Sequence, residues 1–163
     1  VRMRRNGEHV PSFQRGLFFS NVGAAIWRKK LLEFPFDENL IMSEDQQFAR
    51  DVVIAGHALV YQPTSVVVHS HNYSLKTAFK RYFDSVYSLS VLFQEHDAKE
   101  SVSLGLKYLA GEARFIARRH PFWFPYYLCY TATKALATVV AHNADKLPRS
   151  LLRRISQHSY YWQ

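Results

Sequence analysis

Apolar residues recur at helical spacing through the second half of the chain and at strand-like spacing only in two short runs of the first. Leu75, Phe79, Tyr82, Phe83, Val86, Leu89 and Phe93 fall on one helical face, with Lys76, Lys80 and Arg81 on another. That pattern predicts an amphipathic helix after Ser74. A second helix is expected from about Lys99 to Arg119, built on Leu106, Leu109, Ala113 and Ile116 and stopped before Pro121. Phe122 to Ala141 is apolar on nearly every side, which raises the length question of a membrane span. Pro125, Lys134 and three threonines argue instead for burial or for lying in a membrane interface. Leu147 to Ile155 reads as a short helix with Leu151, Leu152 and Ile155 opposite Arg149, Arg153 and Arg154. Tyr160, Tyr161 and Trp162 follow, and basic residues beside an aromatic cluster suit a lipid headgroup layer.

The first half is more varied. Phe18 to Trp27 is apolar with small residues at its centre, the pattern of a buried strand or turn. Arg28 to Glu33 reads as a short helix ended by Phe34-Pro35, because proline disfavours helical geometry in its predecessor. A loop over Asp37 to Met42 leads to Ser43, an expected N-cap whose S-x-x-Q spacing to Gln46 has the form of a capping box. Phe48, Ala49, Val52 and Val53 then keep helical spacing up to Gly56, so a helix is expected over Glu44 to about Ala55. Ala58 to Tyr61 and Ser65 to Val68 are short and β-branched, and read as strands around a Gln62-Pro63-Thr64 turn. His69 sits where the second would end.

A length of 163 residues with 48% hydrophobic content is enough for one substantial core, so one domain or one with an appendage is expected. The basic, aperiodic stretch Val1 to Arg15 suggests a piece of a longer protein. The single cysteine, Cys129, cannot form an internal bridge, and the N-terminus lacks an apolar signal region, which together point to a cytoplasmic setting. A formal net charge of +8 favours anionic partners such as nucleotide diphosphates, anionic lipid or nucleic acid.

Two points carry candidate chemistry. Glu44-Asp45 puts two carboxylates at a helix start, where one could deprotonate an attacking hydroxyl. First-turn acids are also common simply because the helix dipole favours them by about 0.3–1 kcal/mol each. His69-Ser70-His71 would put both imidazoles on one face of a continuing strand, where two nitrogens make an incomplete metal site. Gly23 would allow a ligand to approach the backbone closely, with a tight buried turn as the plainer reading. Arg50 could clamp an acid or a phosphate, although a lone helical arginine is more often solvated. No D-x-D and no Gly-rich phosphate loop occurs.

Taken in order, the S-N step, the E-D pair and the strand-end histidine resemble the acceptor half of a GT-A-type, family-2 nucleotide-sugar glycosyltransferase of the rhamnosyltransferase-like group. The resemblance implies an α/β fold, a partial GT-A-like catalytic domain over residues 1–72, followed by a mostly helical, basic region over 73–163. It implies Asp45 as the base with Glu44 beside it, Ser20 and Asn21 in a substrate-facing turn with Gly23, and His69 ahead of His71 as a ligand to Mg²⁺ or Mn²⁺. The implied partners are a dTDP-rhamnose-like donor and a glycan or lipid-linked acceptor, with inverting transfer at the inner, anionic face of the membrane. Compared with that family the chain lacks the nucleotide-binding strands, so inactivity in isolation and self-association through uncovered edges are expected. The alternative is a non-catalytic basic module on anionic membrane or nucleic acid, of which nucleic acid is the less favoured; a metal hydrolase built on the histidines has too thin a ligand set.

Overall fold

The structure, a computed structural model, describes residues 19–92 and 98–163, with side chains in the helix opening at Ala98 described from Gly105 onward. The basic stretch Val1 to Arg15, the start of the apolar run at Phe18, and Phe93 lie outside the described residues. The chain divides into two compact units, one ending at Asn72 and one beginning at Tyr73.

In the first unit, α1 (Arg28–Glu33) and α2 (Glu44–Ile54) are the α-helices among the described residues. α1 ends at Phe34-Pro35 as expected, with the Phe34 amide donating to the Lys30 carbonyl. α2 buries Gln47, Phe48, Ala49 and Val52, and Ile41 from the preceding loop joins them. Gly56 closes α2 in a left-handed conformation, φ 85°. Its amide donates to Val53 and the next, that of His57, to Val52, the two bonds of a Schellman cap.

The α/β expectation is overturned: the described residues contain helices and turns but no β-strand. Ala58–Tyr61 and Ser65–Val68 keep their β-branched pattern, and the turn between them forms, with the Ser65 amide donating to the Gln62 carbonyl. A strand, however, is made by a ladder, and no described segment pairs with either run. Val60 and Val68 are accordingly 87% and 100% exposed. The GT-A-like sheet inferred by resemblance is therefore not a feature of these residues. The run up to Trp27 is not a buried strand either; it contains a single 3-10 turn, Asn21–Gly23, and Trp27 is exposed.

The second unit contains α3 (Leu75–Leu92), α4 (Ala98–Arg119), α5 (Phe124–His142) and α6 (Arg149–Ile155). α3 opens on Ser74, whose hydroxyl accepts from the Thr77 amide, and packs along α5. Small residues, Ala78 on α3 with Ala137 and Ala141 on α5, are buried there and let backbones approach. Pro125 sits in the first turn of α5, where its missing amide costs nothing. Thr133 and Thr138 donate to the carbonyls of Cys129 and Lys134, which settles two threonines inside the helix. Among the described residues no helix is long and apolar enough to cross a membrane.

The chain end is part of the core. Trp162 is 8% exposed, with its ring 4.8 Å from Tyr87 and 6.0 Å from Phe83, so it is not available to a headgroup layer. Lys80 and Asp84, one turn apart on α3, grip a single peptide unit ahead of it. Lys80 donates to the Ser156 carbonyl at 3.1 Å, and Asp84 accepts from the Gln157 amide at 2.8 Å. Asp84 is fully buried, which the apolar pattern of α3 could not indicate.

Burial pushes the Asp84 carboxyl above its ordinary range, against the pull of the Gln157 amide. An acid whose folded value is raised favours the folded state fully below its unfolded value, and that contribution is lost as pH rises through the folded one. Asp84→Asn should therefore gain stability relative to the natural chain as pH rises from about 4 to about 7. Asp84→Ala should lose about 1–3 kcal/mol, because the Gln157 amide is left without its partner. Urea unfolding across that range reads both; a pH-independent difference for the Asn variant would show that the carboxyl is not desolvated.

Candidate functional site

The first turn of α2 is the best-organised polar feature of the first unit. Ser43 precedes it at φ 67°, the sole non-glycine residue with positive φ among those described. In that left-handed conformation its side chain makes no capping bond, so the expected capping box is not formed. Asp45 and Gln46 take over. Asp45 Oδ1 accepts from the Gln46 amide at 2.8 Å, and Oδ2 accepts from the Asn21 amide at 3.2 Å. The Gln46 side-chain amide donates to the Phe19 carbonyl, and the Phe19 ring lies 5.9 Å from that of Phe48 in the α2 core. Two consecutive side chains thus hold both ends of the segment Phe19–Asn21.

The turn so held is built by its own residues. Ser20 Oγ accepts from the Val22 amide at 3.3 Å and starts the 3-10 turn, so its hydroxyl has a structural task. Gly23 closes the turn against Val67: a Cβ there would stand 3.2 Å from Val67 Cγ2. The space beside Gly23, read from the sequence as open to a ligand, is taken here by a valine of this chain. His69 lies two residues beyond Val67, a reach of at most about 7 Å. The Asn21–Gly23 turn thus touches the first turn of α2 through Asn21 and Val67 through Gly23.

The remaining candidates are placed less tightly. Glu44 is half-buried on the same first turn. Arg50 lies one side of it, with Nε 3.1 Å from Asp51 Oδ1; Asp51 also accepts from Gln47, so an incoming phosphate would compete with an existing pair. His69 and His71 are exposed, and their rings meet edge to face at 4.2 Å between centroids. Two imidazoles on one ion would stand about 5 Å apart, given metal–nitrogen bonds of about 2.1 Å. As placed they rest on one another. Among the described residues no group of three or more His, Cys, Asp or Glu could hold a metal ion.

Sequence reasoning missed one cluster. Lys30 Nζ lies 2.6 Å from Glu33 Oε2 and 2.8 Å from His57 Nε2, so α1 is tied to the residue that follows the α2 cap. The Lys30 hydrogen bond holds the Glu33 carboxyl below its ordinary range. The i,i+3 spacing of Lys30 and Glu33 was readable, whereas the return of His57 depends on the Gly56 turn.

Comparison with known proteins gives two curated relatives. The chain is 32% identical over 148 residues to the O-antigen chain rhamnosyltransferase RfbN of Salmonella typhimurium. It is 32% identical over 149 residues to the O-antigen chain rhamnosyltransferase WbaN of Salmonella anatum. Each match takes in 90% of this chain and 47% of the relative, so the chain spans about half the length of the curated relatives it matches. No family model matches, and no solved structure matches. The rhamnosyltransferase-like resemblance read from the residues agrees with both relatives.

Gly23→Ala should be tolerated, because Val67 is 53% exposed and can yield by the few tenths of an ångström required. Gly23→Val should force the turn and Val67 apart. Backbone NMR shifts would then move along Val66–His69 in the Val variant and stay in place in the Ala variant. Unchanged shifts along Val66–His69 in the Val variant would mean that the two segments do not meet.

Proposed function

We propose that this chain carries the acceptor side of a glycosyltransferase that moves a sugar, rhamnose in the first instance, from a nucleotide-diphospho donor to a surface polysaccharide or lipid-linked glycan. The observation that carries the reading is the Asp45 carboxylate, oriented by amides on both of its oxygens. The two O-antigen chain rhamnosyltransferases supply the substrate class.

In this reading Asp45 takes the proton of an acceptor hydroxyl as that oxygen attacks the anomeric carbon. The new carbon–oxygen bond forms on the face opposite the departing diphosphate, the bond to the diphosphate breaks, and configuration inverts. A carboxylate has about four lone-pair sites, so two amide bonds leave room for the hydroxyl. Glu44, on the same turn, would contact the acceptor, and the Ser20–Asn21 turn would form the wall beside it. His69 would offer one imidazole toward Mg²⁺ or Mn²⁺ on the donor diphosphate, with the remaining ligands coming from the phosphates and from residues outside those described. Such an ion supplies charge neutralisation to the leaving group. The basic second unit would hold the enzyme at the inner membrane face, where a lipid-linked acceptor is found.

A second reading, a basic binding module without chemistry, is favoured by the charge alone. Asp45→Asn separates the two. The single Asn carbonyl can still accept from the Asn21 amide, at the cost of the bond to the Gln46 amide, so the turn is kept while the base is lost. In the full-length enzyme, transfer should fall by about 10²–10⁴-fold with donor binding within about twofold of the natural protein. Transfer at the natural rate would remove Asp45 as the base, and the absence of transfer from any nucleotide-sugar donor to any glycan acceptor would favour the binding module.

A further inference from the structure

The most exposed aromatic surface of the second unit is the corner where α4 gives way to α5. α4 ends on Arg118 and Arg119, and Pro121–Trp123 makes one 3-10 turn before α5 begins. Phe122 is 96% exposed at that turn, Trp123 63%, and Phe115, one turn back on α4, 59%. These rings sit on a scaffold. Phe115 meets His120 at 6.1 Å, Trp123 meets Tyr126 at 6.0 Å, and the Tyr127 hydroxyl donates to the Leu109 carbonyl, tying α5 to α4.

Charge identifies what would cover the corner. From Tyr73 onward the sequence holds thirteen of the 21 Lys and Arg residues and six of the 13 Asp and Glu residues, so seven of the eight net positive charges lie in the second unit. Arg114, Arg118 and Arg119, within a few residues of these rings in sequence, are all exposed. Arginines flanking a nearly naked Phe-Trp pair on a tight turn match an interface with apolar depth and an anionic rim. A nucleic acid would meet the same charge and its bases could stack on the rings, but it offers no continuous apolar layer for a Phe122 ring exposed on almost all sides. In the other aromatic cluster with basic neighbours, at the chain end, Trp162 is in the core and Tyr160 alone stands exposed, so it offers one ring where the corner offers three.

We propose that the corner formed by Phe115, Arg118, Arg119, Phe122 and Trp123 docks on an anionic bilayer, with Phe122 and Trp123 in the interfacial layer and the arginines on lipid phosphates. It deepens the proposed function, and rests on it only for the membrane as the place where a lipid-linked acceptor is found. The test is co-sedimentation of the full chain with phosphatidylglycerol-containing vesicles and with pure phosphatidylcholine vesicles. Binding should be at least about tenfold tighter to the anionic vesicles, from two arginines at the surface. Phe122→Ser with Trp123→Ser should weaken it by about tenfold or more, and Arg118→Glu with Arg119→Glu should remove the lipid preference. Circular dichroism checks that these exposed substitutions leave the helices intact, and a Trp fluorescence blue shift on vesicles should vanish in Trp123→Phe.

Equal binding of the Phe122→Ser, Trp123→Ser protein and the natural one would overturn the proposal, as would affinity for DNA or soluble glycan without affinity for vesicles. Transfer to a water-soluble acceptor is measured in parallel. Loss of vesicle binding with transfer retained defeats only the docking surface, while vesicle binding without transfer in the full-length enzyme defeats only the glycosyltransferase reading.

Discussion

One carboxylate arranges the first unit. Asp45 ties the amide of Asn21, 24 residues upstream, to the first turn of α2. The bond is charge-assisted, and such bonds are roughly twice as strong as those between neutral groups. Gln46 adds the Phe19 carbonyl, and Phe19 rests on Phe48 in the core. Without these contacts Asn21–Gly23 would be a short 3-10 turn with no buried residue to anchor it. With them it meets Val67.

That arrangement displaces ordinary helix capping. The S-x-x-Q spacing at Ser43 would normally satisfy two orphan amides reciprocally. Here Ser43 adopts a left-handed conformation and Gln46 reaches outward to Phe19 instead. Left-handed geometry costs a non-glycine residue about 1–2 kcal/mol. A helix start that gives up its cap to hold a distant turn concentrates cost at one place, and strain of this kind clusters at functional sites. The second unit uses a related device for another purpose: Lys80 and Asp84 grip the two ends of one peptide unit and seat the final aromatic residues against α3.

The helices were legible because each carries its own signal. Pro35 and Pro121 stop α1 and α4, Gly56 caps α2, and Ser74 opens α3, all through interactions within a few residues. The strands were not, because Val66 and Val68 have strand character without a ladder, and a ladder depends on partners that local sequence does not specify. Within the candidate site, the carboxylates could be named from their residue types and the S-N turn from the family resemblance, but the bond that joins them could not. The same applies to Asp84, whose partner is 73 residues away, and to Trp162, whose place in the core depends on Phe83 and Tyr87 rather than on the arginines near it. The basic character of residues 73–163 was legible; that Phe122 and Trp123 are the exposed rings beside Arg118 and Arg119 was not, because it depends on the exposure of each ring.

The central claim is that Asp45 holds the Asn21 turn in place, and hydrogen exchange of the Asn21 amide tests it most directly. In the natural chain this amide should be protected, in Asp45→Asn it should keep most of that protection, and in Asp45→Ala it should exchange at least about tenfold faster, the equivalent of one lost hydrogen bond. An Asn21 amide that exchanges freely in the natural chain, or at the same slow rate in Asp45→Ala, would contradict the account.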